Sequence, residues 1–378
     1  MKEIKDIIFA AEQASAQHME MALATVVKVE GSSYRRAGAR MLVTADGRMT
    51  GAISGGCLEG DALKKALLAI QQRQNRLVTY DTSSDEGNAI GLQLGCNGIV
   101  HILFEYIDFT KSMHPITLLE NVLQHRREAI LVTCFSEDRR QLQLGSMLLT
   151  DACGSAQSAP SDDAVDPRLS EAIALAKSKR QSVLTSYKHQ EMECKALVEY
   201  LAPTVHLVVV GAGNDAQPLV ETADILGWEI TVVDGRATHA SEQRFPAAKQ
   251  IIVTPADHVI PKIQIDPWTV FVLMTHNYQY DLQVLSQLVA TNTAYIGSLG
   301  PKIKLARMFK DLEQLGLVLT ESDRRRIHGP VGLDIGAENA AEIAIAVLAE
   351  IKAVLSGRPG TPLKYLPTKI HAASPLIL

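Results

Sequence analysis

Val205-His-Leu-Val-Val-Val-Gly-Ala-Gly-Asn-Asp-Ala216 is the stretch that sets the fold class of this chain. Its continuous apolar run is the pattern of a strand covered on both faces, as in parallel sheets. The run enters Gly211-Ala-Gly213-Asn-Asp-Ala216 and then a helical repeat at Leu219, Val220, Ala223 and Leu226. Ile230-Thr-Val-Val233 reads as the next strand and ends on Asp234. Strand, G-x-G-x-x-A, helix, strand and acid in this order form the dinucleotide-binding fingerprint, so a Rossmann-type β-α-β unit is predicted. Glycines let the backbone approach a phosphate, and a helix N-terminus offers it free amides. Gly211, Gly213, Asn214 and Asp215 are therefore candidate nucleotide-binding residues. Asp234 suits a ribose 2′-hydroxyl, whereas Arg236 beside it suits a phosphate, and both readings stand. Pro218 fits only if it falls in the first helical turn.

Downstream, Gln250-Ile-Ile-Val253 and Thr269-Val-Phe-Val-Leu-Met274 continue the strand pattern. In an open α/β sheet the loops after the strands face the ligand crevice. That rule makes His276, Asn277 and Asp281 candidates by position, although His276 also reads as a structural hydrogen-bonding residue. Ala294-Tyr-Ile-Gly-Ser-Leu-Gly-Pro301 resembles another strand and crevice loop, with Lys302 and Lys304 opening a helix. Asn339 and Glu342 have capping-box spacing ahead of a helix with Ile343, Val347, Ile351 and Leu355 on one face. That helix reads as closing the domain or forming a subunit contact. A boundary near Pro203 divides the chain into an N-terminal mixed α/β domain, residues 1–200, and a Rossmann-like nucleotide-binding domain, residues 201–378.

The N-terminal half carries a different set of signals. Thr25-Val-Val-Lys-Val29 and Arg40-Met-Leu-Val-Thr44 read as strands. Between them lies a loop with Ser33, Arg35, Arg36 and, at its end, Arg40; arginine forks and open amides hold phosphate or carboxylate. A solvated basic turn is the plainer reading. Ser54-Gly55-Gly56-Cys57-Leu58-Glu59 then leads into a helix running from Cys57 to Gln74 (Ala62, Leu63, Ala66, Leu67, Ile70). A cysteine at a helix N-terminus has its thiolate favoured by the dipole and the free amides. The alternative is a tight turn with Cys57 as small buried filler. A second glycine-flanked cysteine, Cys96, precedes the strand Ile99-Val-His-Ile-Leu-Phe104. Cys134 sits in an apolar run and reads as core, while Cys153 and Cys194 have polar neighbours. Met1 to Glu20 reads as an amphipathic helix (Ile4, Ile7, Ile8, Ala11), and residues 152–166 as a surface excursion or hairpin insertion.

Composition narrows the class. The chain has 378 residues, 47% of them hydrophobic and 21% charged, with a formal net charge of −5. Nothing in that balance draws the protein to nucleic acid or to an anionic membrane. No apolar run approaches the ~20 residues of a membrane span, and no signal-peptide core opens the chain, so a cytoplasmic location is expected. Five cysteines without C-x-x-C pairs are not a disulfide framework.

Together these motifs resemble the xanthine dehydrogenase accessory protein family (XdhC/CoxI). The resemblance rests on Gly31-Ser-Ser-Tyr-Arg-Arg36 through Arg40, Gly55-Gly-Cys-Leu-Glu-Gly60 and Leu94-Gly-Cys-Asn-Gly98 in the first half. The second half adds Gly211–Ala216, Val232-Val-Asp-Gly-Arg236, Met274-Thr-His-Asn-Tyr278, Tyr295–Pro301 and Gly332-Leu-Asp-Ile-Gly-Ala-Glu338. It implies a factor that binds the molybdenum cofactor (molybdopterin or a nucleotide form), protects it, and hands it to an apo molybdenum hydroxylase. It also implies exchange of an oxo for a sulfido ligand by a cysteine desulfurase, and a homodimer. On that reading Ser33, Arg35, Arg36, Arg40, Gly55, Gly56, Cys57, Glu59 and Cys96 face the cofactor, with Cys57 and Cys96 near molybdenum or its labile sulfur, a thiophilic centre. Asn97 stands where the family pattern has glycine, and Asn339 where it has a threonine cap. The competing reading is an NAD(P)-dependent oxidoreductase with Asp234 on the ribose and His276 as acid–base; a fold that binds dinucleotides does not by itself establish hydride transfer.

Overall fold

The computed structural model describes residues 1–81, 98–124, 126–138, 140–151, 156–158, 166–189, 192–367 and 376–377. They form two compact units, the first mainly Glu3–Pro203 and the second mainly Thr204–Pro367. Cys96, Cys153 and most of the 152–166 segment lie outside the described residues.

Unit 1 runs through α1 (Lys2–Ala16), β1 (Met21–Gly31), β2 (Arg40–Thr44), β3 (Met49–Gly51), α2 (Glu59–Gln72), β4 (Arg76–Asp81), β5 (Gly98–Tyr106) and α3 (Pro115–Gln124). It continues with β6 (Ala129–Phe135), β7 (Gly145–Asp151), β8 (Ala156–Ser158), α4 (Pro167–Lys179), β9 (Val183–His189) and β10 (Met192–Leu201). Among the described residues the first sheet has the order β3-β2-β1-β5-β4 and is antiparallel throughout. The second contains β9-β10-β6-β7-β8, also antiparallel. The small-residue stripe of α2 (Ala62, Ala66, Ala69) joins Ala22, Ala24, Val26, Ile102 and Phe104 in one core. A separate cluster of Val27, Leu77, Leu103, Phe135 and Leu184 joins the two sheets. Adjacent Val26 and Val27 lie in different cores because successive strand side chains point to opposite faces, and the pairing with β5 shifts register between Val26 and Lys28. Cys134 is buried as its apolar run predicts. Cys194 is buried too, against its polar sequence neighbours, because strand alternation turns it into the α4-side core with Leu169, Ala172 and Ala176.

Unit 2 contains β11 (His206–Val210), α5 (Ala216–Ile225), β12 (Glu229–Asp234), β13 (Gln250–Val253), β14 (Thr269–Leu273), α6 (Tyr278–Leu288) and β15 (Tyr295–Ser298). α7 (Lys302–Gln314), α8 (Glu321–Arg326), β16 (Ile327–His328) and α9 (Ala340–Leu355) complete it. The sheet order is β13-β12-β11-β14-β15-β16, all parallel. That is the doubly wound Rossmann order 3-2-1-4-5-6, with its switch point between β11 and β14. Alternate residues of β11 divide between two cores: Leu207 and Val209 face α5 and α9, and Val208 and Val210 face α6 and α7. Pro218 falls in the first turn of α5. Asn339 caps α9 in a reciprocal box with Glu342, as its spacing predicts. The short β17 (Leu376–Ile377) pairs parallel with β9. No helix among the described residues is long and apolar enough to cross a membrane.

Candidate functional site

In unit 2 the crevice opens where β11 and β14 part. Gly211 has φ +122°, and a Cβ there would stand 2.5 Å from the Met274 carbonyl group. Only glycine allows this approach. Gly213, Asn214 and Asp215 follow on the surface side, with Asp215 at the N-cap of α5. Arg244, which the sequence reading missed, donates from Nη2 to Asn214 Oδ1 at 2.8 Å and steadies this loop.

Asp234 ends β12 as expected but is not open to a ligand. Oδ1 accepts from Arg236 N and Nε, both at 2.9 Å, and Oδ2 from Ala212 N at 2.8 Å and Arg236 Nη2 at 2.9 Å. Burial alone would raise this carboxyl; the Arg236 guanidinium and the two amides outweigh burial and hold it below the ordinary range. A carboxylate offers about four lone-pair positions, and all are taken. The ribose 2′-hydroxyl expected on Asp234 therefore has no acceptor there.

His276 adopts φ +58°, an uncommon conformation for a residue with a Cβ, and its side chain is 64% exposed. Its Nε2 lies 3.5 Å from Asp215 Oδ2, which sets the ring beside the glycine loop. Asn277 caps α6 by accepting from Gln279 N and Tyr280 N. Asp281, a candidate by position, is fully buried and accepts from Thr275 Oγ1 at 2.6 Å and Lys304 Nζ at 2.7 Å. It ties the ends of β14 and β15 together instead of facing the crevice.

In unit 1 the arginine loop and the Cys57 loop meet. The Tyr34 ring lies over Gly55, where a Cβ would be 3.1–3.4 Å from it, and Gly56 has φ +107°. Gly98, which follows the undescribed segment holding Cys96, pairs with Gly31 and packs on the Ser32 backbone. Ser33 is half-buried and Arg36 exposed on this loop. Arg35 is tied to Glu3 of α1.

Two further members of the expected set are engaged by the protein itself. Arg40 is 4% exposed in its side chain and forks onto Glu199, with Nη1 3.1 Å from Oε1 and Nη2 bonded to Oε2, and it also donates to the Gly38 carbonyl. It joins β2 to β10 and is not available to an anion. Glu59 turns back onto the helix start, accepting from Ser54 N at 2.9 Å and from the Ser54 hydroxyl. Burial would raise this carboxyl; Ser54 and the amides of Glu59 and Leu58 outweigh it and hold it low. Ser54 Oγ in turn accepts from Gly56 N and Leu58 N. This local box starts α2 at Glu59 and not at Cys57, and it fills the helix-terminal anion position with the chain's own carboxylate. Cys57 is half-buried in the preceding turn, its Sγ 3.5 Å from Ser54 Oγ.

Glu30, His101 and Glu137 bring three potential metal-ligand atoms within 4.8 Å of one another. The Lys28 ammonium already sits on both carboxylates, 2.7 Å from Glu30 and 2.8 Å from Glu137, with Lys195 2.7 Å from Glu137. Burial works against the Glu137 charge, yet these ammoniums hold its carboxyl down at about 2. The cluster is an ion-pair network in which lysine takes a cation's place. A larger cavity, about 1380 Å³, lies at the C-terminal end of α2 with Glu105 in its wall. The length of a 14-residue helix, about 21 Å at 1.5 Å per residue, separates that end of α2 from the Cys57 turn.

Fold and loops define a two-unit α/β protein whose C-terminal unit is of the Rossmann class and whose N-terminal unit gathers a basic loop and a cysteine turn. Comparison with known proteins agrees: residues 207–351 match the XdhC Rossmann domain and residues 14–81 match the XdhC and CoxI family. A relative from Bacillus subtilis (strain 168), described as a probable xanthine dehydrogenase subunit, is 31% identical over 333 residues, covering 88% of this chain and 92% of the relative. The molybdenum cofactor insertion chaperone PaoD of Escherichia coli (strain K12) is 24% identical over 332 residues, covering 88% and 82%. A crystal structure described as a xanthine dehydrogenase from Bacillus halodurans superposes with a TM-score of 0.74 at 27% identity, covering 96% of this chain and 99% of that one. The chain belongs to the XdhC and CoxI family.

Proposed function

We propose that this protein is a molybdenum cofactor insertion chaperone. It holds the cofactor and delivers it, in sulfurated form, to an apo molybdenum hydroxylase of the xanthine dehydrogenase type. A cysteine desulfurase supplies the sulfur, and the chaperone works in the cytoplasm as a homodimer. Family membership and the likeness to a relative named for this activity support the class of function.

The observation that carries the assignment of a cofactor face is the seating of Tyr34 on Gly55. It unites Ser33 and Arg36 with the Gly56–Cys57 turn in one loop cluster. The cofactor is a pterin dithiolene with a phosphate, and such a cargo calls for cations and hydrogen-bond donors at one end and a soft ligand at the metal. Arg36 and the loop amides would serve the anionic groups; Cys57, with Cys96 two residues before Gly98, would serve molybdenum or its sulfur. Arg40 and Glu59 act one step removed, by fixing the two loops.

Reconstitution tests this. Apo hydroxylase, a cofactor source and the full chain are incubated with and without desulfurase, and hydroxylase turnover is followed. Activation well above the chaperone-free control, lost in Cys57→Ser or Cys96→Ser, supports the reading; equal activation without the chain overturns it.

A further inference from the structure

Beside the Gly211 loop, unit 2 contains a cavity of about 500 Å³, walled by Gly235, by Val253 to Ala256, and by Tyr280 and Gln283 of α6. Its volume falls within the range of small-molecule sites, about 300–1,000 Å³. None of its lining residues is charged. The Tyr280 ring is fixed by its hydroxyl, which donates to the Thr254 carbonyl at 2.7 Å. Gly235 lets the backbone lie against that ring, since a Cβ there would come within 3.2 Å of it. A flat, neutral heterocycle suits these walls.

The rim has the opposite character. Arg236 directly follows Gly235, and its side chain is 49% exposed. Nε and Nη2 hold Asp234, while Nη1 has no partner among the described residues. A ribose with a free 2′,3′-diol would need an acceptor at this position, and Asp234 has none left. A phosphate there would instead meet unused guanidinium donors, a charge-assisted pairing that arginine makes well.

We propose that the unit 2 crevice binds a nucleotide whose ribose carries a phosphomonoester, with its base in the uncharged cavity and the ribose phosphate on Arg236. The residues invoked all belong to unit 2, and neither the proposal nor its test depends on cofactor handling. Two sources share this chemistry: nucleotides phosphorylated at the 2′ position, as in NADP, and at the 3′ position, as in coenzyme A.

Calorimetric titration of the full chain with adenosine 2′,5′-bisphosphate, adenosine 3′,5′-bisphosphate and ADP tests it, since each probe carries two phosphates. A ribose-phosphorylated probe is expected to bind at least tenfold tighter than ADP, and the better of the two identifies the source. NADP⁺ against NAD⁺ repeats the comparison on whole dinucleotides. Arg236→Gln should erase the preference, and Gln283→Trp, which fills the cavity without touching Asp234, should weaken every probe. If Arg236→Gln fails to fold, the wild-type ratios and Gln283→Trp still decide. Equal or tighter binding of ADP and NAD⁺, or no binding of any probe at millimolar concentration, overturns the proposal.

Discussion

Removing Glu199 asks whether Arg40 is a structural strut or a ligand contact. In Glu199→Ala the guanidinium keeps the Gly38 carbonyl but loses both carboxylate bonds at a position only 4% exposed. Burial works against the Arg40 charge in the folded protein, and Glu199, with a smaller contribution from the Glu105 charge, outweighs it. Breaking one side of a buried pair costs about 3–5 kcal/mol because the remaining charge stays desolvated. At roughly 2–4 °C per kcal/mol for a folding unit of this size, the melting transition of unit 1 drops by about 10 °C. The double change Arg40→Met with Glu199→Leu removes both charges and their desolvation cost, so it recovers most of that loss. Differential scanning calorimetry measures all three chains, and cofactor retention is then compared between wild type and the double variant. A Glu199→Ala transition within about 1 °C of wild type would refute the strut. So would a stable double variant that can no longer hold cofactor, for that would return Arg40 to the ligand.

Three further outcomes are expected. Burial raises the Glu105 carboxyl from 4.5 to about 7, so the folded chain keeps a proton that the unfolded chain releases, and its stability falls as pH rises through that window. Glu105→Gln removes this dependence; its urea midpoint gains on wild type between about pH 5 and pH 8, and parallel pH curves would contradict the burial argument. Gly211→Ala forces a Cβ against the Met274 carbonyl at φ +122°, costing about 2–4 kcal/mol by strain and overpacking; equilibrium unfolding followed in unit 2 checks it. Asn339→Ala removes the cap that accepts from Ala341 N and Glu342 N, a loss of about 1 kcal/mol in denaturant stability.

What the sequence made legible were the features with local causes. The Gly211–Ala216 turn, Pro218 in the first turn of α5 and the Asn339–Glu342 box each depend on residues within a few positions of one another. Arg40 was misread because its partner is 159 residues away on another sheet. Nothing near Arg40 in the chain distinguishes an arginine that meets a carboxylate of its own protein from one that meets a ligand. Glu59 was misread for a related reason: an acid just inside a helix can face a ligand or turn back, and Ser54 is what turns it. Asp234 carried both possibilities in its neighbour Arg236, and only the geometry of all four bonds shows that its acceptors are filled. Tyr34 on Gly55 and the α2-end cavity at Glu105 arise from sheet packing, which has no short-range signature.

Cofactor retention by the full chain tests the assignment most directly. The protein is mixed with released molybdenum cofactor and passed through gel filtration, and the bound pterin is oxidised and quantified by fluorescence beside molybdenum by mass spectrometry. Near-stoichiometric pterin is expected on wild type and on the core variant Cys134→Ala, with a clear loss on Cys57→Ser. Wild-type protein that elutes free of pterin and molybdenum would contradict the assignment outright.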